Sequence, residues 1–206
     1  MDYIYEVETR FEFEDREEVY TVLHFLESCL NLEIEWKTEH FGRDLFKEDR
    51  VLRISDSKID GDRISSLAYK EPDRGQEINI RKEYSERINK GLKESLIMGI
   101  VGGKRNYADS KEIKKELKRL GHAPFMFFKG HSLLGKYEPR GLHFKLMYCS
   151  YLQYPLLLEI EKEAESEAGI MDKKEDIYDF IEKYGLDSRL IPQEPPTLLY
   201  RSEWGE

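Results

Sequence analysis

The sequence predicts a single α+β domain whose sheet is an antiparallel meander with helices packed against it. Three observations carry this. The 206 residues suit one core. A period-two alternation opens the chain and returns late in it. Short strand-like runs in between are divided by turn residues.

Over residues 3–14 the odd positions are Tyr3, Tyr5, Val7, Thr9, Phe11 and Phe13, while Glu6, Glu8, Arg10, Glu12 and Glu14 alternate with them. That is a strand with one apolar face and one wet or ligand-facing one. From Asp15 to Leu30 the spacing becomes helical: Val19, Val22, Leu23, Leu26 and Leu30 form a stripe behind an Asp15 N-cap. Short strands are expected at 33–37, 44–46, 51–55, 66–70 and 78–84, with turns at Asp60-Gly61 and at Pro72 to Gly75. Residues 85–120 read as helical, clearest over 111–120. The glycines at 99, 102 and 103 lack the spacing of a phosphate-binding loop and read as an ordinary loop. Strands return at 125–129, 142–149 and 156–162. A helix over 172–184 then leads into an extended, proline-bearing tail over 192–204, and the domain is expected to span 1–206 with residues 172–206 packed on it.

Composition narrows the function classes. Hydrophobic residues at 39% and aromatics at 12% support a packed interior, whereas 36% charged residues exceeds the usual share of about a quarter. The formal net charge of -9 disfavours an open nucleic-acid surface, which needs clustered Lys and Arg. Cys29 and Cys149 have neither CxxC spacing nor a ligand cluster, so reduced core thiols are expected. With no signal-like opening and no long apolar run, the expected compartment is the cytoplasm.

Two Glu-x-Glu strands carry the chemistry. Glu6 and Glu8 share a face with Arg10, and Glu159 and Glu161 share another, opposite Leu158 and Ile160. Such oxygen donors suit Mg²⁺ or Mn²⁺. By the same alternation Arg53, Lys70, Arg81 with Glu83, and later Lys129, His143 and Lys145 stand opposite apolar neighbours. Cations converging inside a closed sheet require bound anions or water, and a polyphosphate answers that need. The competing reading is an ordinary solvated sheet face.

The order of these pieces resembles the CYTH, or triphosphate tunnel metalloenzyme, superfamily, whose members include class IV adenylyl cyclases and thiamine triphosphatases. The pieces are Glu6, Glu8 and Arg10; Asp44-Leu45-Phe46; Leu52-Arg53-Ile54; Leu67 to Pro72; Arg81-Lys82-Glu83; Lys129; and Leu158 to Glu161. The resemblance implies an eight-stranded antiparallel β tunnel, a closed barrel with flanking helices. It implies metal ligands at Glu6, Glu8, Glu83, Glu159 and Glu161, and phosphate contacts from Arg10, Arg53, Lys70, Arg81, Lys129 and Lys145, with Arg10 and Lys70 the catalytic pair. Arg10 cannot act as a base at neutral pH.

The chain departs from the family at Arg10, where a lysine is usual, at Ser55 and near His131, where a basic residue is usual, and around Cys149, where an acidic one is usual. The implied function is metal-dependent hydrolysis of a triphosphate compound with Mg²⁺ or Mn²⁺. The alternatives are an adenylyl cyclase or a non-catalytic triphosphate-binding module. The expected partner is a small-molecule triphosphate (tripolyphosphate, ATP or thiamine triphosphate), not nucleic acid or membrane, and a homodimer is compatible with the pattern.

Overall fold

A computed structural model describes residues 3–150 and 152–204; positions 1, 2, 151, 205 and 206 of the expected domain lie outside the described residues. The strands are β1 Ile4–Phe13, β2 Leu30–Phe41, β3 Val51–Ile59, β4 Asp62–Lys70, β5 Asn79–Arg87, β6 Pro124–Tyr137, β7 Leu142–Tyr148 and β8 Leu156–Ala164. They close into a barrel in the order β1-β5-β4-β3-β2-β6-β7-β8. The helices are α1 Arg16–Val22, α2 Leu26–Cys29, α3 Arg43–Lys47, α4 Leu96–Ile100, α5 Ser110–Arg119, α6 Ile170–Tyr184 and α7 Pro195–Trp204. The α+β tunnel expected from the sequence is therefore the fold observed.

Several boundaries differ for physical reasons. Asp15 does cap α1, accepting from the Glu18 N–H at 2.9 Å, but the expected helix breaks after Val22 into two short pieces, and β2 begins at Leu30. The expected strand at 44–46 is helical. Gly42 adopts a left-handed backbone (φ 73°) that ends β2, and its carbonyl then accepts from the Phe46 N–H at 3.1 Å. Removing that run from the strands leaves eight. The glycine-bearing patch caps α4, with the Gly103 N–H reaching the Met98 carbonyl at 2.7 Å. The expected extended tail is α7 instead, because Pro195 and Pro196 open it, where proline's missing N–H has no helical partner to lose.

Two compact units are distinguished by their contacts. One comprises the chain up to Ile4, Glu35–Asp73 and Arg81–Lys129; the other comprises Tyr5–Ile34, Arg74–Ile80 and the chain from Gly130 onward. In the first, Leu52, Ile54, Leu67 and Tyr69 of β3 and β4 pack against Ile97 and Met98 of α4 and Ile113 and Leu117 of α5. Each fully buried aliphatic chain there contributes about 1.5–3 kcal/mol of transfer free energy. In the second, Phe25 centres an aromatic cluster with Tyr137, Phe144, Phe180 and Tyr184, docking α6 on the strands. Cys149 packs with Met147 and Leu157, and both cysteines are free thiols. Among the described residues no helix is long and apolar enough to cross a membrane.

Gly135 in β6 lets the α2 terminus lie directly on the strand, since a Cβ there would sit 2.3 Å from the Cys29 carbonyl oxygen. Gly135→Ala must push backbone from backbone, and a loss of about 1–3 kcal/mol is expected in urea unfolding. An unchanged midpoint would show that this approach is not tight.

Candidate functional site

The strand faces turned away from the helices carry charge instead of aliphatic side chains. In the second unit, β1, β8 and β7 are paired so that polar residues fall into rows. Arg10 stands opposite Glu159 and Glu159 opposite Lys145; Glu8 stands opposite Glu161 and Glu161 opposite His143; Glu6 stands opposite Glu163. Alternation sends Val7, Phe11, Leu158, Ile160 and Phe144 the other way, into the core. The sequence-predicted Glu6, Glu8, Arg10, Lys145, Glu159 and Glu161 are thus brought together on one surface.

Arg10 organises the deepest part. It is 1% exposed, and its guanidinium lies 2.5 Å from Glu8 Oε1 and 2.9 Å from Glu159 Oε2, while donating to Asn79 Oδ1 at 2.5 Å. Burial alone pulls its pKa down, but Glu8, Glu159 and Glu194 outweigh that and raise it above the ordinary value, so the charge is permanent. Lys145 lies 3.5 Å from the other Glu159 oxygen. An arginine suits this place because its planar fork spans two carboxylates and an amide at once.

Next to this clamp, His143, Glu161 and Glu163 each offer one ligand atom, all within 4.8 Å of one another. The sequence reading flagged His143 as facing inward and missed Glu163, although Glu163 continues the alternation of Glu159 and Glu161. Two carboxylates and an imidazole form a donor set that fits a divalent cation of the Mg²⁺, Mn²⁺ or transition-metal type.

In the first unit, Lys70 of β4 stands opposite Glu83 of β5, and Arg53 of β3 lies on the same face. Lys70 Nζ is 3.3 Å and Arg53 Nη2 3.6 Å from the Glu83 carboxylate. Glu83, expected as a metal ligand, therefore lies against two cations. Lys70 is buried, whereas the Arg53 side chain is 29% exposed. Arg81, also expected to contact phosphate, turns its guanidinium to the Asp49 carboxylate at 2.7 Å and to the Asp49 and Glu71 carbonyls, each at 2.9 Å. It ties two turns together. Lys129 is exposed, and strand alternation directs it away from its neighbour Phe128, which packs on His40.

His40 escaped sequence reading because the strand was expected to end near residue 37. It is 1% exposed, and neither ring nitrogen has a hydrogen-bond partner among the described residues. Its pKa falls from 6.5 to about 3 through burial, then through Arg53 and Lys70. An unpaired buried polar group of this kind costs about 1–3 kcal/mol.

The strands form a closed β-barrel, and in each unit the strand faces turned from the helices carry carboxylates and cations. No family model matches the chain, and no curated protein matches it in sequence. Solved structures do match. The PH1819 protein of Pyrococcus horikoshii superposes with a TM-score of 0.73 at 17% identity, over 96% of this chain and 99% of that one. A candidate adenylate cyclase of Vibrio parahaemolyticus superposes at 0.60 and 12% identity, covering 95% and 97%. The candidate adenylyl cyclase HpAC1 of Hippeastrum, reported to have a dominant triphosphatase activity, superposes at 0.57 and 14% identity, covering 97% and 95%. The likeness is one of fold, and it is consistent with the CYTH tunnel suggested by the motifs.

Arg10→Met should leave the Glu8 and Glu159 carboxylates without their buried counter-charge. A loss of about 3–5 kcal/mol in denaturant unfolding is expected, against less than about 1 kcal/mol for Lys145→Met, whose partner keeps Arg10 and whose own side chain is 35% exposed. Equal effects would show that Arg10 is not the central counter-charge.

Proposed function

We propose that this chain binds a triphosphate compound with a divalent metal and hydrolyses it. The observation that carries the reading is the pair Arg53 and Lys70: two cations on neighbouring strands, on the face opposite the apolar core, one of them buried. Packing gains nothing from cations there, whereas an anionic ligand would gain a fork and a point charge.

In this reading Arg53 and Lys70 hold phosphate oxygens, and Glu83 keeps both cations in place between turnovers. Glu161, Glu163 and His143 would hold the metal, with Glu6 and Glu8 in the adjoining rows as further oxygen donors. When bound, a divalent cation supplies charge stabilisation at phosphate oxygens. Arg10 has a supporting role: it fixes Glu8 and Glu159 and keeps the acidic rows from repelling one another. Its permanent charge excludes it as a base. Lys70 neutralises charge that builds up on the transferred phosphoryl group, the kind of contribution that dominates phosphoryl transfer. The structural neighbours include a candidate adenylate cyclase and one reported to have a dominant triphosphatase activity, which keeps cyclisation of ATP as the second reading. A triphosphate-binding module without turnover is the third.

Orthophosphate release from tripolyphosphate, ATP and thiamine triphosphate in Mg²⁺ or Mn²⁺, with cyclic AMP measured alongside, tests the proposal. Release that falls by about a hundredfold or more in Lys70→Met and in Glu161→Gln, with folding retained, is the expected outcome. Cyclic AMP as the main product from ATP would replace hydrolysis by cyclisation. Binding without turnover of any of the three would reduce the reading to capture alone.

A further inference from the structure

We propose that His40 is a positioning residue for the anion held by Arg53 and Lys70, a neutral imidazole that finds its hydrogen bond only on the bound ligand. The inference rests on the triphosphate reading and deepens it.

The face of the His40 ring stacks on Phe128, with centroids 5.4 Å apart and planes 16° from parallel, and Phe46 and Phe125 meet it edge-on at 6.1 and 6.4 Å. Trp36 lies against the far side of this box, perpendicular to Phe128 at 5.6 Å. The rings that meet His40 are those of phenylalanines, and an apolar side chain there would leave no polar atom stranded. The imidazole nevertheless brings one N–H donor and one lone pair into this box, and neither has a partner among the described residues. Buried polar groups without partners call for a specific explanation, and catalytic or ligand-binding work is a recurrent one.

β2 neighbours β3, and Thr38 Oγ1 lies 2.9 Å from Ser55 Oγ, so alternation puts His40 and Arg53 two residues along on that same face; Arg53 and Lys70, the cations proposed to hold phosphate, are the charges that act on the ring. Of the elements that pack on the ring, α3 brings Phe46 and β6 brings Phe125 and Phe128. Beside two cations the ring stays neutral through the working pH range, so it adds direction to the cradle rather than charge. Its N–H can donate to a phosphate oxygen that Arg53 and Lys70 hold, and its lone pair can accept from a protonated oxygen or a hydroxyl. Arg53 is the partly exposed member of the group, on a flexible stem, and is the side chain able to shift when an anion engages it.

Two variants test this. His40→Phe removes both polar atoms and keeps an aromatic ring in the box; His40→Gln keeps a donor. Without ligand, His40→Phe is expected to melt above the wild type. The gain should widen as pH falls from 6.5 towards 4, because the unfolded imidazole takes a proton that the folded one refuses, which weakens the wild type on the acid side. In calorimetric titration with tripolyphosphate and Mg²⁺, His40→Phe is expected to bind about tenfold more weakly, one hydrogen bond's worth, and His40→Gln to stay within about threefold of wild type. His40→Phe binding as tightly as the wild type, or melting below it, overturns the proposal. If the wild-type protein itself fails to bind tripolyphosphate, the triphosphate reading falls, and this role for His40 falls with it.

Discussion

The structure depends on pairing charge with charge inside a sheet. A strand of a closed barrel has two faces, and here the face towards the helices takes the aliphatic and aromatic side chains. The other receives Glu6, Glu8, Arg10, Lys70, Arg81, Glu83 and Glu159, each less than a tenth exposed. Carboxylates and cations so far from water are tolerable only when each is met by an opposite charge or by hydrogen bonds. Register performs that matching: Arg10 falls opposite Glu159, Lys145 opposite Glu159, and Lys70 opposite Glu83. A slip of one residue would turn these side chains into the apolar core. Pairing thus fixes register, and register in turn fixes which groups can meet a ligand.

The charged faces differ in composition. In the acidic rows carboxylates outnumber cations, which favours a metal at His143, Glu161 and Glu163. At Arg53 and Lys70 two cations of neighbouring strands flank the Glu83 carboxylate. Arg81 differs: its donors reach two carbonyls and a carboxylate, so a residue of phosphate-binding type serves to tie turns.

The fold was legible because a strand's alternation survives as a pattern in the chain, as β1 and β8 illustrate through Glu6, Glu8, Glu159 and Glu161. What the sequence hid was tertiary. Asp44-Leu45-Phe46 looked extended, and only the left-handed turn at Gly42 makes it helical. Pro195 and Pro196 suggested an extended tail, whereas at the first helical turn proline breaks nothing. Within the site, face-sharing groups such as Glu8 with Arg10 could be read from spacing, but partner choice could not: Arg81 and Arg53 look alike in sequence and differ in what surrounds them. Lys129 sits on β6, a different strand from Arg53 and Lys70, and its side chain is exposed. His40 stood beyond the expected strand end, and its lack of partners exists only once three phenylalanines have folded around it.

The central claim is that the charged strand faces bind a divalent metal and a triphosphate compound, rather than only neutralising themselves. A crystal structure of the protein grown with tripolyphosphate and Mn²⁺, with anomalous scattering recorded for manganese, tests it most directly. The account predicts a manganese peak at His143, Glu161 and Glu163, and polyphosphate density against Arg53 and Lys70. Unchanged partners at these residues, with manganese and polyphosphate absent or confined to the outer surface, would contradict it.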